Sequence, residues 1–187
     1  MASAFSHAFV AFAFGKLPQR QPFTWRMLIL GMVCSVVPDL DVIGFSYGIP
    51  YDDLWGHRGI THSLFFAGLL SASLVAWRCR EQPVAKRTAV FVYLFLCTAS
   101  HGLLDAMTDG GLGVAFFAPF DTTRYFFGFR PVAVSPIGIG EFFSRDAVGV
   151  LVSEARWIWL PTVAMVGVLR ILQCFRSGRL NSPHNVR

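Results

Sequence analysis

Seven residues of this sequence carry side chains of the types that build a metal site: His7, Asp39, Asp41, His57, His62, His101 and Asp105. Imidazole nitrogen and carboxylate oxygen together suit zinc, manganese or iron better than calcium or magnesium. Spacing adds to residue type. His101 and Asp105 stand four apart at the end of an apolar run, so on a helix they share a face. Asp39 and Asp41 flank Leu40 directly after Pro38, and in an extended stretch both point the same way. His57 and His62 bracket Arg-Gly-Ile-Thr, where Gly59 allows a turn before the next apolar run. Each piece also has a plainer reading. His7 alone packs or caps, Asp39 caps a helix, His101 and Asp105 form a structural pair, and Arg58 anchors at an interface. The metal or catalytic reading rests on so many ionisable groups converging in a chain so poor in charge.

The elements that must position these residues are membrane helices. Of 187 residues, 54% are hydrophobic and only 14% charged, against about a quarter charged in ordinary soluble domains. Five apolar runs stand out: Ala2–Gly15, Trp25–Val37, His62–Trp77, Thr88–Leu104 and Trp157–Leu172. Each is near or below the roughly 17 residues a span needs. Pro38 should end or kink the second run, yet Val42–Ile49 is apolar again, which brings Asp39 and Asp41 to membrane depth. The N-terminus lacks the basic start of a cleaved signal peptide and is expected to remain as a helix. The expected fold is all-α: one domain over 1–187, a bundle of about five short transmembrane helices. Residues 106–156, rich in Gly, Pro and aromatics, are expected to form an irregular segment at the interface. Cys34, Cys79, Cys97 and Cys174 form no C-x-x-C pair and read as small buried hydrophobes.

The net charge of +5 does not point to nucleic acid, because the basic residues recur between apolar runs instead of forming one patch. If each run crosses once, one side holds Lys16, Arg20, Arg26, Arg78, Arg80, Lys86, Arg87, Arg170, Arg176, Arg179 and Arg187, with only Glu81 among the acids. The positive-inside rule makes that side cytoplasmic. The N-terminus then lies outside and the C-terminus in the cytoplasm. All seven candidate ligands fall at or near the outer face, and His184 falls elsewhere. Arg124 and Arg130, among the few basic residues on the acidic side, are placed to hold a phosphate.

At this point the motifs resemble a known family. Ser-His-Ala-Phe at 6–9, Pro-Asp-Leu-Asp at 38–41, His-Arg-Gly-Ile-Thr-His-Ser at 57–63 and His-Gly-Leu-Leu-Asp at 101–105 resemble the YdjM-like membrane-bound, metal-dependent hydrolases. Asp-Gly-Gly from Asp109 and Ala-Pro-Phe-Asp-Thr-Thr-Arg-Tyr-Phe-Phe at 118–127 continue the resemblance, which covers roughly residues 1–140. It implies an inner-membrane hydrolase with the seven histidines and aspartates as metal ligands, and it leaves the substrate undefined. A fainter similarity is to zinc-dependent phospholipase C and related single-strand nucleases, which use an H-x-x-x-D pair in an all-helical site. This chain departs from them: after Asp105 it has no histidine until His184, so one or two metals fit better than three.

The function expected is hydrolysis of a phosphoester, of a lipid or isoprenoid phosphate, at the outer face of the inner membrane. A divalent metal, zinc first and manganese or iron next, is the expected cofactor, and membrane lipid the expected partner. Arg58, Asp109 and Arg124 are the expected catalytic residues, Arg58 steadying an anion at a helix N-terminus. Two other readings stay open: an intramembrane metal-ion carrier or sensor, and a scaffold whose polar residues only join helices.

Overall fold

A computed structural model describes residues 1–17, 23–138, 140–141 and 147–180. Arg20, His184 and Arg187 lie outside the described residues. Five rods form the bundle. They are α1 (Ala4–Gly15), α2 (Trp25–Val36) with a 3-10 continuation (Val37–Tyr47), α3 (Leu64–Arg78), α4 (Val84–Ala106), and α5 (Ala147–Glu154) running through a π turn (Ala155–Trp159) into α6 (Leu160–Leu180). Among the described residues there is no strand, only two isolated bridges, Thr108 with Val132 and Val114 with Tyr125.

The expectation of five crossings is refined. Three stretches are long and apolar enough to cross a membrane: Trp25–Tyr47, Val84–Ala106 and Ala147–Phe175. At about 1.5 Å per residue, the 12 residues of α1 and the 15 of α3 fall short of a hydrocarbon core of roughly 30 Å. The interfacial segment is also shorter than expected. Ala147–Glu154 is apolar helix continuous with α6, and the expected segment overran it because Glu154 and Arg156 break the apolar run in sequence.

Local chemistry sets the helix starts. Thr24 and Ser63 occupy N-cap positions, their hydroxyls accepting from the Met27 and Phe66 amides. Pro38 does not stop the second rod. It occupies the first turn of the 3-10 stretch, where its missing N–H costs nothing, and the rod runs on to Tyr47.

The core lies where α1, α2 and α4 meet, around Ala11, Leu28, Leu94 and Cys97. An added Cβ would collide with the Tyr93 ring of α4 at Gly31 and with Leu28 of α2 at Gly15, so two glycines let three helices approach. Cys34, Cys79 and Cys97 are buried as expected, whereas Cys174 is exposed on α6. From Leu160 to Phe175 helix α6 faces mostly outward, as suits a lipid-facing span.

Candidate metal centre

α4 brings His101 and Asp105 to one face, both fully buried. The 3-10 stretch after α2 brings Asp39, and the turn Ile60–His62 brings His62. His101 Nε2 lies 3.0 Å from His62 Nε2, 3.2 Å from Asp39 Oδ1 and 3.9 Å from Asp105 Oδ2. His62 Nε2 lies 3.6 Å from Asp39 Oδ1 and 3.7 Å from Asp105 Oδ2. These four donor atoms all lie within 4.8 Å of one another. Zinc bonds of roughly 2.0–2.2 Å in a tetrahedron imply donor separations of about 3.3–3.6 Å.

The outer nitrogens of both imidazoles are already committed. His101 Nδ1 lies 2.7 Å from the Ser35 carbonyl, which can only accept, so Nδ1 carries the proton. His62 Nδ1 faces Thr61 Oγ1 at 3.1 Å and Asp41 Oδ2 at 3.2 Å. Each ring therefore turns its Nε2 to the common point, the arrangement by which an outer partner orients a metal-binding histidine. Asp39 is buried with neither carboxylate oxygen hydrogen-bonded. A buried carboxylate without donors is costly unless a cation meets it, so the chemistry of the donor set fits a divalent ion.

Asp39 and Asp41 do not point the same way, contrary to the expectation for an extended stretch. With three residues per turn, positions two apart are rotated well away from each other. Asp41 is spent elsewhere. Oδ1 lies 2.8 Å from His57 Nδ1, and Oδ2 accepts from Thr61 Oγ1 at 2.7 Å and the Arg58 amide at 3.3 Å. Asp41, His57 and His62 still form a second cluster of potential donor atoms. His57 Nε2 is buried without a partner, and burial outweighs the bond to Asp41 in moving this imidazole's pKa below its ordinary value.

His7 of α1 stacks on His101 with centroids 3.7 Å apart, and its Nε2 lies 3.5 Å from Asp105 Oδ1. That oxygen also accepts the Ala2 amide at 2.7 Å. Neither nitrogen of His7 has a hydrogen-bond partner.

The three expected catalytic residues are all held by contacts within the protein. Arg58 is fully buried, so it does not stand open beside a helix N-terminus. Its Nε donates to Asp105 Oδ2 at 3.1 Å, Nη1 to the Gly110 carbonyl at 2.9 Å and Nη2 to Thr108 Oγ1 at 2.9 Å. Its backbone has φ +65°, a left-handed conformation unfavourable for a residue with a Cβ and maintained only where the surroundings fix it. Arg124 donates to the carbonyls of His57, Tyr51 and Asp53 at 2.9, 3.2 and 3.0 Å, which closes the loop that carries His57 and Arg58. Asp109 is exposed and accepts the Val134 amide at 2.8 Å.

Sequence reasoning missed Thr61, the Ser35 carbonyl, Thr108 and Glu154. Thr61 lay inside the His-x-x-x-x-His bracket and was open to notice. Glu154 was visible as a lone acid between apolar residues. It is fully buried and accepts from Ser3 N at 2.5 Å, Ser3 Oγ at 2.6 Å and Ser6 Oγ at 2.8 Å, pinning α1 to the last span.

The fold and the cluster together define a class: a helical membrane protein with a buried histidine–aspartate centre that could hold a divalent metal. Comparison narrows the class. The YdjM inner membrane protein family matches residues 1–178, and this chain belongs to that family. It is 31% identical over 169 residues to the inner membrane protein YbcI of Escherichia coli (strain K12), covering 90% of this chain and 97% of that protein. No solved structure matches it.

Proposed function

We propose that this inner-membrane protein is a metal-dependent hydrolase acting on a phosphoester of a lipid or isoprenoid phosphate. The observation that carries the reading is the convergence of Asp39, His62, His101 and Asp105 on one buried point. These four residues would hold the ion, zinc being the best match to their nitrogen and oxygen donors. Once bound there, the ion supplies Lewis acidity and lowers the pKa of water.

The chain's own residues supply the rest. Thr61 and Asp41 fix the His62 ring, the Ser35 carbonyl fixes His101, and Arg58 fixes Asp105. On this reading Arg58 and Arg124 are positioning residues, since their donors are bound to protein acceptors. Beside Asp41 and Thr61 a groove of about 390 Å³ has apolar walls from Leu40, Ile49, Trp55 and Phe66. Such walls suit a hydrocarbon chain, which supports a lipid phosphoester over a soluble one. The charge asymmetry supports placing this end outside, with the N-terminus there and the C-terminus in the cytoplasm.

The test is elemental analysis of the detergent-purified protein, followed by turnover of phosphatidic acid and an isoprenoid phosphate by wild type and His101→Ala. Wild type should hold about one equivalent of metal and release phosphate, and His101→Ala should lose both. Full metal and full turnover in His101→Ala would falsify the site. Metal binding without turnover of either substrate by wild type would favour a carrier or sensor.

A further inference from the structure

At the end of the bundle away from the metal centre, α2 and α4 begin side by side and α3 ends beside them. Between them lies a cleft of about 730 Å³. Its apolar lining comes from Phe23, Met27, Leu30 and Val90. Around these stand three cations, Arg26 from the first turn of α2, Arg78 from the last turn of α3 and Lys86 from the first turn of α4. None of the three has a carboxylate partner among the described residues. Glu81, the one acid on these connections, faces Arg80 at 3.5 Å.

We propose that this cleft is a binding site for an anionic phospholipid, with its phosphate between Arg26, Arg78 and Lys86 and an acyl chain on the Phe23, Met27 and Leu30 wall. Three features point to this ligand together. The cations converge from three different helices, so they define a pocket and not a charged stripe along one element. The first-turn amides of α2 and α4 add positive potential on the same side. The pocket also joins a polar rim to an apolar wall at the ends of two stretches long enough to cross a membrane, the depth at which a phospholipid has the same division. A soluble anion would use the rim and leave the wall without a role. The site is independent of the hydrolase reading. Lys86 and His101 are 15 residues apart on one helix, about 22 Å along its axis.

The protein as purified in a neutral detergent is titrated with phosphatidylglycerol, phosphatidylcholine and inorganic phosphate, and binding is read by native mass spectrometry and melting temperature. Three variants accompany wild type. R26Q/R78Q/K86Q removes the rim charges, R80Q/R87Q removes two neighbouring charges outside the cleft lining, and Ala89→Trp fills the cleft with every charge in place. Wild type and R80Q/R87Q should bind phosphatidylglycerol alike. The triple variant should bind it on the order of a hundredfold more weakly, at roughly fivefold per cation. Ala89→Trp, an exposed helical position that should still fold, should lose most binding without loss of charge. Equal binding of phosphatidylcholine, equal protection by phosphate alone, or full binding by Ala89→Trp would overturn the proposal. If the triple variant does not fold, Lys86→Gln and Ala89→Trp decide it in the same way.

Discussion

The two ends of this bundle handle charge in opposite ways. At the end with the candidate metal centre, Asp39, Asp105, Arg58 and four histidines are buried, and nearly every one touches another member of the set. At the other end Arg26, Arg78, Arg80, Lys86 and Arg87 are exposed. The same helices connect both, since α2, α3 and α4 each contribute to the cleft and lead to or from the cluster. Exposed cations in contact with water and lipid phosphate need no internal partner. Buried ions at membrane depth must be matched by protein or by a bound cation. The difference predicts that substitutions at the first end cost stability and metal, whereas those at the second alter orientation and lipid contact.

The largest effect is expected from Arg58→Met. It removes the guanidinium from a fully buried Asp105, and breaking a buried pair from one side costs about 3–5 kcal/mol. Arg58→Met/Asp105→Asn should recover much of that loss without restoring metal content. Denaturation in mild detergent and elemental analysis measure both. Similar stability of Arg58→Met and wild type would show that the two ends do not differ as described. Equivalent neutralisation at the basic end, Arg80→Gln/Arg87→Gln, should leave stability within about 0.5 kcal/mol, as surface substitutions do.

Orientation supplies the second test of the comparison. A reporter active only in the periplasm, fused after Arg179, should stay silent, and one inserted near Asp121 should be active. Signal from the first fusion would reverse the assignment of the two ends. The smallest effect concerns pH. Burial holds His57 below its ordinary pKa, so the unfolded chain binds this proton more readily than the folded one. Its contribution to stability is therefore lost as pH falls through about 6.5. In chelator-treated protein, His57→Gln should melt with a shallower loss between pH 7 and pH 5 than wild type. Parallel pH profiles would remove His57 from the account.

Much of this was open to a reader of the sequence. The apolar runs located five rods because hydrophobic length is the dominant membrane signal. His101 and Asp105 were legible as a face because an i, i+4 relation survives in any helix. Asp39 and Asp41 were not separable, since their directions depend on whether the stretch after Pro38 is extended or 3-10. The role of Arg58 was hidden for a different reason. Its partners Asp105, Thr108 and Gly110 lie about fifty residues away, and only the fold of the loop after α4 brings them near. The extent of the last span was masked by Glu154, whose charge looks like a boundary until Ser3 and Ser6 are seen to satisfy it.

That contact between Glu154 and the first turn of α1 sets an order of events during synthesis. Ser3 and Ser6 precede by about 150 positions the carboxylate that accepts from them. At the roughly 5–20 residues per second of translation, the first turn of α1 waits on the order of ten to thirty seconds for this carboxylate, although the rest of the helix can already pack on α2 and α4. During that interval Ser3 and Ser6 must be sheltered by lipid headgroups, water or the insertion machinery. A nascent chain stalled before Glu154 therefore already carries Asp39, His62, His101 and Asp105 and the α1–α2–α4 core, with only the polar first turn of α1 still unmatched.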